Sequence, residues 1–323
     1  MNAPVKGAPG EVHEVEHRAK VAAPAELVYR LLADVTHWPR LFPSIVHMER
    51  FADDGTNERV GVWLTTGDKV FSWVALRVPR PGELRVDYRQ ETTQPPVADM
   101  GGSWIVEPLS AGECLVRLLH DYRPAATEPA TLAFIARTLE RNSTAELAAL
   151  KDAAEREAAG EWLVTEIEDT TRVDGPAADV YEFLADASAW PERIPHIVSV
   201  DARDGGENVQ LLDWVTHTAR GVDHPSEVVR VCFPPHRIAY KHLLVPPLAA
   251  VHTGSYTVTA DGGGALVSSR HTVVLTASGI AGVLGEGADL TDARAFTRQA
   301  LSTSSREVLA RAKEFAERGR HSG

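Results

Sequence analysis

Between Val12 and Val21 apolar and polar residues alternate, as on a strand with one buried face. The period then lengthens. Leu27, Val28, Leu31 and Leu32 follow Pro24 at helical spacing, and Trp38-Pro39 ends the run. Alternation returns over 59–66, 70–78, 83–91, 101–108 and 113–122, with turn signals at Asp53-Asp54-Gly55, Pro81-Gly82 and Ala111-Gly112. From Pro129 to Ala158, Leu132, Ile135, Leu139, Leu147 and Leu150 predict one long amphipathic helix. The order is therefore strand, short helical pair, strands, closing helix. This is an α+β pattern, in which a curved antiparallel sheet covers its apolar face with the long helix. One helix cannot fill a wide sheet face, so a ligand pocket is expected between the two.

The same order occurs twice. At one constant offset Pro24, Val28, Tyr29, Leu32, Ala33, Asp34, Trp38, Pro39, Pro43, Ile45 and Val46 match Pro176, Val180, Tyr181, Leu184, Ala185, Asp186, Trp190, Pro191, Pro195, Ile197 and Val198. Weaker matches continue through Trp63 and Trp214, Arg77 and Arg230, Tyr88 and Tyr240, then His120 and His271. The second closing helix is expected over 291–318. Ala159-Gly160 separates a charged helical run from a new strand-like run, so the expected division is a disordered tail 1–10, one domain 11–159 and a second 160–323. The glycine-rich stretches at 262–264 and 279–287 read as turns and a mobile insertion.

Composition narrows the classes. At 323 residues the chain exceeds the usual size of one core. A net charge of -12 argues against a nucleic-acid partner, which needs a concentrated basic face. There is no apolar stretch of membrane-spanning length and no export signal, so the expectation is a cytoplasmic protein without a membrane partner. Cys114 and Cys232, one per half, read as buried reduced thiols. His13 and His17 share a strand face too far apart for a metal, and no metal site is expected.

The Pro-Ala-x-x-Val-Tyr-x-x-Leu-Ala-Asp helix with its Trp-Pro, the alternating strand Phe71 to Arg77 and the string Arg141 to Leu147 resemble the Bet v 1 or START-like helix-grip superfamily, and within it the polyketide aromatase/cyclases. A tandem of this length is similar to the didomain subclass. The resemblance implies an enzyme that folds a poly-β-ketone held on an acyl carrier protein, among other polyketide synthase components. It would close the first ring between carbons 7 and 12, aromatise it by loss of water, or both, without a cofactor. It places the family's pocket arginine at Arg77 and, through the repeat, at Arg230. Where single-domain members have a pocket tyrosine this chain has Ile45 and Ile197, and where some have a closing-helix acid it has Arg137 and Arg298.

Strand alternation puts Phe71, Trp73, Ala75 and Arg77 on one face, and His224, Ser226, Val228 and Arg230 on its counterpart. A methylene between ketones is already acidic, so the chemistry asks for shape, an enolate stabiliser and a proton shuttle. Guanidinium suits the second role, with several fixed donors and a permanent charge. His217 and His271 are the candidate proton shuttles, ahead of His120 and His224. Phe71, Trp73, Trp104, His224 and Ser226 are the candidate substrate wall. The same fold also serves non-catalytic carriers or sensors of hydrophobic ligands and chaperone-type interaction proteins. A desolvated arginine favours the enzyme over a lipid carrier.

Overall fold

The computed structural model describes residues 10–161, 163–217, 221 and 223–318; the expected tail lies outside them except for Gly10. The chain folds as two compact units, Met1–Trp162 and Leu163–Gly323.

The first unit runs β1 (His13–Val21), α1 (Ala25–Ala33), α2 (Trp38–Leu41), β2 (Ile45–Asp53), β3 (Glu58–Thr66), β4 (Lys69–Arg80), β5 (Arg85–Gln90), β6 (Val97–Ser110), β7 (Glu113–Pro124) and α3 (Pro129–Ala158). All seven strands form one antiparallel sheet in the order β1-β7-β6-β5-β4-β3-β2. The second unit repeats this with β8 (Val164–Val173), α4 (Ala177–Ala185), α5 (Trp190–Arg193), β9 (Ile197–Gly206), β10 (Val209–His217), β11 (Asp223–Phe233), β12 (Arg237–His242), β13 (Ala249–Asp261) and β14 (Gly264–Leu275). It adds α6 (Ala277–Leu284) before its closing helix α7 (Leu290–Arg318). These are two tandem helix-grip domains. Each has its own core between one sheet face and the closing helix, built in the first from residues such as Val60, Ala75, Val116 and Leu150, and in the second from Leu212, Val228, Val267 and Leu309. Both cysteines are buried and free.

Three features depart from the pattern read along the chain. β2 is absent from the expected strands, because bulges at Ile45/His47 and Arg50/Ala52 break its alternation. The glycine-rich segment after β14 contains α6, where packing of Ile280 with Leu248, Val273 and Leu275 outweighs weak helix propensity. Trp63 and Trp214 are not equivalent. Trp214 lies opposite Ser226, four residues before Arg230, whereas the residue opposite Trp73, four before Arg77, is Val62.

Candidate functional site

In both halves the retained Leu-Ala-Asp…Trp-Pro sequence builds one device at the end of the first helix. The last carbonyls of a helix lack intrahelical partners and carry its negative pole. In the first half the Trp38 indole N–H donates to the Leu32 carbonyl (3.1 Å). From the facing strand β4, Arg77 donates to the same Leu32 carbonyl through Nη2 (2.8 Å) and to Ala33 through Nη1 (3.3 Å). Its guanidinium lies 5.2 Å from the Trp38 ring centroid. In the second half Trp190 donates to Phe183 (3.1 Å), Arg230 Nη2 donates to Leu184, and the guanidinium lies 5.1 Å from the Trp190 ring.

The two arginines differ in what is left over. Arg77, 2% exposed, donates from Nη1 to Glu58 Oε2 at 2.5 Å. Desolvation brings its pKa down to about 10, with the Glu58 carboxylate opposing that fall. In the second half Gln210 stands opposite Arg230, and its amide donates to the Ala185 carbonyl instead (3.1 Å). Arg230, 1% exposed, keeps Nε and Nη1 buried without a hydrogen-bond partner. Burial lowers its pKa, and nearby Cys232 and tyrosines resist the shift. It offers two donors in fixed geometry to an anionic oxygen.

Beyond Arg230 the second interior is polar. β14 sends Ser269 and His271 inward at positions that alternation assigns to the core. His271 Nδ1 lies 3.0 Å from the hydroxyl of Tyr240, the residue opposite Arg230 on β12. The same nitrogen is 2.9 Å from His252 Nε2, and His271 Nε2 is 2.7 Å from Ser305 Oγ on α7. His252 stacks on His242 at 4.2 Å, and Trp214 meets His242 edge-on. Burial holds His271 down to about 4 and, with neighbouring imidazoles, His242 to about 3 and His252 well below the usual histidine range. Gly254 makes room for this arrangement, since a Cβ there would sit 2.4 Å from the Tyr240 hydroxyl and 2.4 Å from the Arg270 carbonyl.

The first interior is wired differently. Gln90 and Met100 occupy the places of His242 and His252, 3.7 Å apart, and Leu118 that of Ser269. His120 meets Tyr88 edge-on, but its Nδ1 and the hydroxyl of Ser143 on α3 are buried without partners. Burial pushes the Glu146 carboxyl on α3 up to about 7.

Of the expected site residues, Arg77, Arg230 and His271 lie inside. His217 does not. It ends β10 on the face opposite Trp214, exposed and paired with Asp223 (2.7 Å), so alternation itself removes it from the interior. His224 and Ser226 are half-buried on the Arg230 face, with His224 Nδ1 2.9 Å from the Pro225 carbonyl oxygen. Phe71 and Trp73 are half-buried on the Arg77 face. Trp104, 3% exposed, stacks on Phe42 at 5.9 Å as part of the packed core. His13 stacks on Tyr122, His17 pairs with Glu140 (2.9 Å), and no group among the described residues is placed to hold a metal. Likewise, no helix among them is long and apolar enough to cross a membrane. Periodicity and the repeat assign no site role to Tyr240, His242, His252, Ser305 or Glu146. For His252 a usable signal existed: a polar residue at an inward position of a strand.

Fold and interior together define a two-domain helix-grip protein with a buried polar centre in each half. The sequence model of the family described as polyketide cyclase / dehydrase and lipid transport matches residues 12–155 and again 164–317, and the chain belongs to that family. It is 39% identical over 308 residues, 95% of each chain, to the granaticin polyketide synthase bifunctional cyclase/dehydratase of Streptomyces violaceoruber. It is 38% identical over 311 residues, 93% of this chain and 96% of the relative, to the actinorhodin counterpart of Streptomyces coelicolor. The crystal structure of BexL, a di-domain ARO/CYC from the BE-7585A biosynthetic pathway, superposes with a TM-score of 0.87 at 45% identity, covering 94% of this chain and 99% of that one.

Proposed function

We propose that the chain is an aromatase/cyclase acting on a poly-β-ketone carried by an acyl carrier protein, closing the first ring between carbons 7 and 12, aromatising it, or both. The observation that carries this reading is the Arg230 guanidinium, buried, without a carboxylate partner among the described residues, and with two donors free beside Tyr240. In the aldol step a methylene loses a proton and its carbon bonds to a distant carbonyl carbon, whose oxygen gains a proton. Arg230 stabilises the enolate and alkoxide oxygens as charge develops on them, an effect commonly worth about 3 kcal/mol for one well-placed donor. Arg77, whose Nη groups are taken by Glu58 and two carbonyls, chiefly holds the first helix against the sheet. A carrier of neutral lipids has no use for the unpaired charge at Arg230.

Reconstitution with a minimal polyketide synthase, with and without a ketoreductase, tests the reading. The expected result is a correctly cyclised aromatic product from the wild type and misfolded shunt products from Arg230→Ala. Product spectra unchanged by adding the wild-type chain would overturn it. The acidic carrier protein is expected to dock through basic rim side chains, so raising salt should slow capture of carrier-bound substrate.

A further inference from the structure

We propose that His252 and His271 of the second domain form one proton-relay unit with Tyr240 and Ser305, with His242 packed behind it, and that His252 is a positioning residue holding His271 in a single tautomer. This rests on the function proposed above.

A neutral imidazole has one N–H and one lone pair. His271 has partners at both nitrogens, His252 and Tyr240 at Nδ1 and Ser305 at Nε2. Whichever nitrogen carries hydrogen therefore dictates the roles of all its neighbours. Moving a proton onto one side and off the other requires no ring to turn, which is the property of a relay. Ser305 continues the line to Ser269 at 3.2 Å, and His242 backs His252 face to face. At the other end Tyr240 stands directly opposite Arg230, so the unit meets the proposed oxyanion site.

Dehydration of the closed ring is the step such a unit serves. A carbon–hydrogen bond breaks, its electron pair becomes the new carbon–carbon π bond, and the carbon–oxygen bond breaks as hydroxyl departs. The relay takes up the proton from carbon and releases one to the departing hydroxyl, which leaves as water. The protein's own proton count is unchanged.

The surroundings keep the three rings neutral at rest. Tyr240, Ser269, Ser305, Trp214 and His224 face them, and among the described residues the carboxylate acting on His271 is Asp169, itself bound to Arg306 at 2.8 Å. The first domain has Gln90 and Met100 in the places of two of the imidazoles. The wiring is thus a property of one half and not of the fold.

Imidazole 15N NMR of the full-length chain, with product analysis, tests the proposal. His271 is expected in one tautomer in the wild type and shifted in His252→Phe. That variant should lose dehydrated product at least about tenfold while cyclised, undehydrated material accumulates. His252→Asn, which can still hydrogen-bond, should restore most of it, and Met100→Leu, at the equivalent place in the first half, should change nothing. A tautomer mixture in the wild type, or His252→Phe within twofold of wild type, would overturn the proposal. The wild-type spectrum decides even if the variant does not fold. A wild type with a single His271 tautomer and no cyclised product would sink the enzymatic reading and leave the positioning role intact.

Discussion

Arg77 and Arg230 stand at the same place in the repeat, and the residue opposite each changes what it can do. Glu58 neutralises Arg77 and consumes a donor; Gln210 turns to a helix carbonyl and leaves Arg230 with two donors free. Exchanging these partners separates stability from activity. Gln210→Glu is expected to raise the melting temperature of the second domain, because a desolvated charge gains its counter-ion, and to abolish cyclised product, because the oxyanion donors are occupied. The reverse change, Glu58→Gln, should destabilise the first domain by about 3 kcal/mol, since it leaves a buried guanidinium without its carboxylate. Thermal melts and product analysis of both variants check this. A Gln210→Glu variant of undiminished activity would remove Arg230 from the chemistry.

At the scale of elements, β7 and β14 show how alternation and chemistry combine. Both strands bury every second residue, and His120 and His271 fall on that buried parity. Burial depresses the pKa of His271 from 6.5 to about 4, so the unfolded chain binds more protons than the folded one between those values. Stability from this residue is therefore complete above about pH 6.5 and is lost as pH falls toward 4, by about 3 kcal/mol for a shift of this size. Glu146 has the opposite sign: its carboxyl is raised from 4.5 to about 7, so its contribution is full below 4.5 and fades as pH rises through 7. Denaturant unfolding from pH 4 to 8 should show the second domain gaining stability as pH rises, and His271→Leu should flatten that slope. An unchanged slope would mean His271 does not titrate between the folded and unfolded states.

For the whole molecule, each half has a seven-stranded sheet, a closing helix and a core of its own. Residues 1–162 and 163–323, expressed separately, are each expected to unfold in one cooperative transition, measurable by calorimetry. Because the free arginine and the imidazole line both belong to the second half, the first half alone should give no aromatised product.

The sequence by itself determined the repeat and the order of elements apart from β2 and α6, because helical and strand periods are local and each copy confirmed the other. It also carried the resemblance to polyketide aromatase/cyclases, since Pro-Ala-x-x-Val-Tyr and Trp-Pro stand unbroken in both halves. Tertiary structure alone decided which arginine is free, because Glu58 and Gln210 lie many residues from their partners and meet them only through strand register. The same holds for the imidazoles. His242, His252 and His271 sit on three strands, and only the pairing of β12 with β13 and β13 with β14 brings them into line. Parity within one strand, by contrast, is set by spacing alone: Trp214 and His217 stand three apart on β10 and therefore point to opposite faces. Periodicity tells which residues share a face, but contacts between strands depend on where each hairpin turns and where each bulge falls, and those are settled only when the sheet closes over its core.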